Sequence, residues 1–247
     1  ENQENILAIN AAIPGVFGLG AIKKNYPKNY KDVGIAEQES VAFAAGAVKE
    51  GITPVLFENS TFLQRAYDQL SHDVAANDLP VVMIVAGGGI TAASKTHLGI
   101  FDNTMVANWP SWEYLAPTTL NELKSMLEWA VKQRKHPVAI KSPVNPLPEG
   151  NVVSEDYSTI HYDVKSGSKV AIIGLGDFYQ LGEKVVDLLK KDNINATLIN
   201  PKSAAHLDTD TLDDLQKDHE LVVTLEDNSI DGGFGQKVAS YYGPTKM

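Results

Sequence analysis

The sequence predicts an α/β protein made of two doubly wound open-sheet domains. From residue 32 onward, short apolar runs alternate with amphipathic stretches, the pattern of parallel strands interleaved with covering helices. The stretch SPVNPLPEGNVVSEDYS, with three prolines and a glycine, breaks that alternation, and a fresh strand–helix series follows it. The chain's 247 residues also exceed the ~100–150 common for one domain. The expected division is a first domain over 1–145, a linker over 146–164 and a second domain over 165–247.

In the first domain the apolar runs place strands near 31–34, 53–57, 81–85, 113–116 and 138–141, with helices near 37–49, 62–76 and 119–134 between them. Gly51 closes the first helix. Thr61 with Gln64 has capping-box spacing for the second helix, and Thr119 with Glu122 has it for the third. In the second domain KVAIIGLG reads as a buried strand, LGEKVVDLLKK as a helix, NATLIN as a strand, DTLDDLQK as a helix and ELVVTLE as a strand. GGFGQKVASYY opens a last helix that runs into the chain's end, and the first residue is not methionine, so a trimmed or processed piece of something longer is expected.

The balance of 21 basic against 31 acidic residues, net −10, argues against general affinity for nucleic acid or an anionic membrane. With no cysteine there is neither disulfide nor thiolate chemistry. No run approaches the ~20 apolar residues of a membrane span, and ENQENILAIN lacks the regions of a signal peptide. A soluble, cytoplasmic protein is expected.

On the helix from Phe62, residues Leu63, Ala66, Tyr67, Leu70 and Val74 recur at helical spacing as a buried stripe. Arg65, Asp68, Gln69 and His72 share another face, with Phe62 at its start. That face is either a solvated surface with a stray aromatic, or the seat of a flat ligand stacked on Phe62 and hydrogen-bonded by Arg65; spacing leaves both open. Glu37 poses a similar choice. A carboxylate in the first helical turn suits the helix dipole without further role, but GIAEQES places it at a strand's carboxyl end, where open α/β sheets bind ligands.

The segment DVGIAEQESVAFAAG resembles the one that carries the activating glutamate in thiamine diphosphate enzymes of the transketolase family. STFLQRAYDQLSHDVA and THLGIFD narrow the resemblance to the 1-deoxy-D-xylulose-5-phosphate synthase branch, and EDNSIDGGFG is similar to its glutamate-and-glycine-rich turn. The resemblance implies a pyrimidine-binding domain followed by a C-terminal domain. Glu37 then meets N1′ of the cofactor's aminopyrimidine and should be partly desolvated to share a proton with it. Phe62 stacks on that ring, Arg65 bonds its edge, Ile35 lies beside it, and His97 faces the reacting carbon and substrate oxygens. Lys95 and Asn59 are weaker candidates for substrate contact. His72 has no assigned role, and the isolated His136, His161, His206 and His219 suggest no metal site.

The family's diphosphate and Mg²⁺ are held by another domain through a Gly-Asp-Gly motif. GLGDF at 174–178 has phenylalanine where the last glycine belongs. This chain is thus expected to supply only the aminopyrimidine side of the cofactor, with a diphosphate-binding domain or subunit supplied in cis or trans, in a homodimer or heterotetramer. The family usually has arginine where Ala86 and Val144 stand and GADG where AASK (92–95) stands, which leaves Lys95 and Lys141 as the obvious local cations. AGGGIT at 86–91 is either a flexible loop or a set of backbone N–H groups for an anion. The implied function is two-carbon transfer from a sugar phosphate or 2-oxo acid, with pyruvate and glyceraldehyde 3-phosphate as the synthase pair. The alternatives are a subunit of a two-subunit transketolase with another acceptor, or a non-catalytic assembly partner.

Overall fold

The computed structural model describes residues 5–90, 96–151 and 154–246, the side chains of 245 and 246 excepted. Its first sheet comprises β1 (Ile6–Asn10), β2 (Tyr30–Asp32), β3 (Thr53–Asn59), β4 (Val82–Gly88), β5 (Glu113–Leu115) and β6 (Val138–Pro143), in the order β2-β1-β3-β4-β6-β5. Every pairing in it is parallel. Strands β3, β4 and β6 are buried along most of their length, which is why they stand in the sequence as near-continuous apolar runs.

Helix α1 (Gly20–Asn25) follows β1, and α2 (Glu37–Lys49) follows β2 and packs Val41, Ala44 and Ala45 into the core. Gly51, at φ +80°, ends α2 as expected. The helix expected over 62–76 is not uniform. It consists of a 3-10 stretch (Ser60–Ala66), one α turn (α3, Tyr67–Gln69), a π stretch (Leu70–Val74) and a final 3-10 turn (Ala75–Asn77). Leu63, Ala66, Leu70 and Val74 are buried as expected, but the changes of winding rotate Tyr67 outward, where its ring packs on Trp109 at 4.7 Å. The cap comes from Asn59, whose Oδ1 accepts from the Thr61 N–H at 3.0 Å, rather than from Thr61. The short α4 (Asp102–Val106) and the regular α5 (Leu120–Gln133) complete the domain, and Thr119 Oγ1 caps α5 by accepting from the Glu122 N–H.

The second sheet contains β7 (Asp163–Lys165), β8 (Lys169–Gly174), β9 (Thr197–Asn200) and β10 (His219–Leu225), in the order β10-β8-β9-β7 with β7 antiparallel to β9. It carries α6 (Phe178–Lys191), α7 (Thr209–Leu215) and α8 (Phe234–Lys246). No helix among the described residues is long and apolar enough to cross a membrane.

The two sheets share one hydrophobic core, in which Trp112, Tyr114 and Ile140 of the first domain pack with Ile173, Ile199 and Phe234 of the second. Backbone bonds Ala116 N–H to Lys202 O (2.7 Å) and Ala204 N–H to Tyr114 O (2.8 Å) stitch β5 to the segment after β9. Buried polar groups also pair across the join: Ser203 Oγ donates to Glu113, Asn200 Nδ2 to Glu122, and Asn103 Nδ2 to Glu226. Lys141 is part of this seam. It is 3% exposed, 3.5 Å from Asp102 and 3.3 Å from Asp227. These two carboxylates oppose the cost of its burial and hold its pKa above the ordinary lysine value. Lys141, one of the two local cations named from the sequence, is thus held by two carboxylates of the chain itself.

Candidate functional site

The site lies where the chain leaves the carboxyl ends of β2, β3 and β4. At the end of β2, the Asp32 carboxylate accepts from the N–H groups of Gly34 (2.9 Å) and Ala12 (3.1 Å). Its burial is outweighed by these bonds, which hold its pKa below the usual value. Gly34 turns the backbone at φ +77°, and the chain enters α2 three residues later with Glu37 at the first helical position.

Glu37 is 2% exposed. Its only side-chain partner among the described residues is Arg65, whose Nη1 reaches the two carboxylate oxygens at 3.0 and 3.2 Å. The Arg65 guanidinium also lies over the Phe62 ring, 5.2 Å from its centroid. The Phe62 ring also meets His97 edge-on, with centroids 5.5 Å apart and planes at 77°. Glu37, Arg65, Phe62 and His97 thus form one continuous line of contacts, although they come from three segments distant in sequence: the start of α2, the 3-10 stretch after β3 and the loop after β4.

Glycines hold the His97 loop in place. Gly89 and Gly99 pair as an antiparallel bridge, with Gly89 N–H bonded to Gly99 O at 2.7 Å. A Cβ on Gly99 would fall 2.3 Å from the Gly87 carbonyl oxygen and 2.5 Å from Ser60 Oγ, so only glycine allows that approach. His97 itself is exposed, with Nδ1 3.0 Å from Thr96 Oγ1.

Of the remaining candidates, Ile35 is 80% exposed, beside the turn into α2. Asn59 spends its carbonyl oxygen on the helix cap. Lys95, with the rest of AASK and Thr91, lies outside the described residues. Ala86 is buried within β4 and Val144 is exposed just past β6, so neither supplies a charge.

One acidic residue was not foreseen. Glu58, on β3, is 1% exposed, and its Oε1 lies 2.6 Å from Ser40 Oγ on α2. Burial, with the Glu37 charge adding to it, pushes its pKa up to about 8. Its only sequence signal is a glutamate inside the apolar run TPVLFEN.

An open parallel sheet with a buried carboxylate, an exposed histidine and an aromatic ring between them at its carboxyl end belongs to an α/β protein of the doubly wound class. The profile described as "Transketolase, pyrimidine binding domain" matches residues 1–149, and "Transketolase, C-terminal domain" matches 160–245, so the chain belongs to the transketolase family. The 1-deoxy-D-xylulose-5-phosphate synthase of Clostridium acetobutylicum is 36% identical over 255 residues, covering 100% of this chain and 40% of that protein. The synthase of Natranaerobius thermophilus is 38% identical over 240 residues, covering 95% of this chain and 38% of its own length. This chain therefore spans about 40% of the length of the curated relatives it matches. Among solved structures, a chain described as "Split gene transketolase, inactive beta4 tetramer" shares the fold, with a TM-score of 0.86 at 23% identity over 99% of this chain and 81% of its own.

Proposed function

We propose that this chain forms the aminopyrimidine side of a thiamine diphosphate site in a two-carbon transferase of the 1-deoxy-D-xylulose-5-phosphate synthase type, which condenses pyruvate with glyceraldehyde 3-phosphate. The observation that carries this reading is the line Glu37–Arg65–Phe62–His97 at the carboxyl end of the sheet in a pyrimidine-binding family domain. The fit of the cofactor is supported by what occupies the slot. The guanidinium is flat, carries N–H donors, bonds to Glu37 and lies over Phe62. A protonated aminopyrimidine offers the same shape and donors.

When bound, the cofactor supplies a carbanion equivalent at C2 of its thiazolium. This chain's residues provide placement. Glu37 holds a proton at N1′, Phe62 supports the ring, and Arg65, whose side chain is half exposed, moves aside to bond the ring's edge. His97, at the exposed rim, is placed to hold a proton on a substrate oxygen. We assign the diphosphate and Mg²⁺ to a partner domain or subunit that carries the Gly-Asp-Gly motif, in a homodimer or heterotetramer.

Two observations favour a second reading. Neutral side chains stand at Ala86 and Val144, where an acceptor sugar phosphate would need charge, and the fold neighbour is a split-gene transketolase described as inactive in its tetramer. A two-subunit transketolase with another acceptor, or an assembly partner without catalysis, would fit these facts. CO₂ release from pyruvate without a ketose donor distinguishes the synthase from the transketolase.

Calorimetric titration tests the division of the cofactor. One stacking contact of ~0.5–1.5 kcal/mol and a few hydrogen bonds of similar net worth do not offset the entropy lost on binding. The expected result is weak or no binding of thiamine diphosphate and Mg²⁺ by the chain alone, and strong binding once the diphosphate-binding part is added. Micromolar binding by the chain alone would overturn it.

A further inference from the structure

Ser40 Oγ lies 2.6 Å from two acceptors, the backbone oxygen of Glu37 and Oε1 of Glu58. A hydroxyl has one proton and can donate to only one of them. If Glu58 were ionised, the other contact would be two oxygens at 2.6 Å with no proton between them. Both contacts close if Glu58 carries the second proton. Glu58 then donates to Ser40 Oγ, and Ser40 donates to the Glu37 carbonyl. The remaining oxygen, Glu58 Oε2, is buried without a partner among the described residues. A neutral carbonyl oxygen bears that isolation at far lower cost than half of a carboxylate.

We propose that Glu58 is a positioning residue for this site: a buried neutral acid that, through Ser40, fixes the first turn of α2 and keeps a second negative charge away from Glu37. This rests on the reading of Glu37 as the group that meets N1′. The two carboxyls sit in opposite surroundings, Glu37 against the Arg65 guanidinium and Glu58 buried without an ion pair among the described residues. Environments that differ in this way divide the protons of an acid pair.

Among the described residues, no ion pair or hydrogen bond other than that of Ser40 would hold a charge on Glu58. Helix α2 presents Ser40 and Glu37, and Arg65 from the 3-10 stretch is spent on Glu37. Beside Glu58 on β4 is Val85, and beyond it Lys141 on β6, which Asp102 and Asp227 already hold. On β1, Asn10 pairs in register with Phe57 and donates to Asp32, whose carboxylate is otherwise occupied by Tyr30, Gly34 and Ala12. The pKa of about 8 agrees with this geometry.

The linkage has a definite sign. A carboxyl whose folded pKa is about 8 against 4.5 unperturbed binds its proton more tightly in the folded state. Its contribution to stability is whole below pH 4.5 and is lost as pH rises to about 8. Glu58→Gln offers Ser40 an N–H donor at every pH and removes that dependence.

The test labels the glutamate carboxyl carbons of the 247-residue chain and follows them by NMR from acid to alkaline pH. Two resonances are expected to titrate above pH 6, that of the buried Glu113 near 7 and one near 8, and the one near 8 should be missing in E58Q. The melting temperature of the wild type should fall relative to E58Q across the same range. With the diphosphate-binding part supplied, H/D exchange at C2 of thiamine diphosphate should decline about tenfold per pH unit above about 8 in the wild type, and E58Q should lack that decline. Titration below pH 6 of the resonance that E58Q removes, or an E58Q exchange profile with the same alkaline decline, would overturn the proposal. The carboxyl titration is independent of the cofactor. Absence of C2 exchange in the completed assembly would therefore bring down the thiamine reading, while the NMR and melting data still decide the state of Glu58.

Discussion

Glu37→Gln keeps the side chain's shape and removes the charge that Arg65 holds. Because the Arg65 side chain is half exposed, losing the pair should cost no more than about 1 kcal/mol of stability. If Glu37 acts on N1′, C2 exchange in the completed enzyme should slow by orders of magnitude. Unchanged exchange would remove Glu37 from the chemistry. Sequence words were enough to bring Glu37, Phe62, Arg65 and His97 forward as candidates, because each stands in a short stretch with few alternatives. Glu58 and Lys141 were not legible in the same way. A charged residue in an apolar strand reads as a side chain seeking solvent. What makes burial tolerable is a partner distant in sequence: Ser40 on a neighbouring helix for Glu58, Asp102 and Asp227 for Lys141.

The segment 60–77 carries both core and site residues, and its two faces should be separable. Leu70→Ala truncates a fully buried side chain and should destabilise the protein by ~2–5 kcal/mol. Phe62→Ala removes a half-buried ring whose contacts are Arg65 and His97, so it should weaken cofactor binding in the completed enzyme with a smaller effect on stability. Urea denaturation beside calorimetric titration separates the two. Equal losses of stability would make Phe62 a core residue. At this scale the alternation of runs revealed most strands and helices, but not β1, β7, α1 or α4. ILAIN is five residues long and runs straight on into the apolar AAIPGVFGL, without the alternation that marks the others. Changes of helical winding were equally hidden, since Leu63, Ala66, Leu70 and Val74 satisfy a 3.6-residue period even where the backbone departs from it.

Across the whole molecule, Lys141 binds the two domains through Asp102 on one side and Asp227 on the other. Lys141→Met would leave two carboxylates near each other without a cation, at a cost of ~3–5 kcal/mol. Wild type should unfold in one transition by every probe. The variant should unfold earlier, and adding Asp227→Asn should recover part of the loss. Full stability in K141M would show that the buried pair contributes little. The proline-rich stretch suggested a division of the chain, but it could not reveal the shared core, because a stretch's composition says nothing about whether the parts on either side of it pack together.

That shared core bears on how such chains can be recombined. Glu113, Glu122 and Lys141 each find their partner in the other half, at Ser203, Asn200 and Asp227. A chimera joined within 146–164 that takes its second half from a relative would inherit a clean peptide junction and a mismatched lock. Cutting at the linker is thus the wrong place to shuffle this protein, and grafts should succeed only when the three acceptor positions travel with their donors.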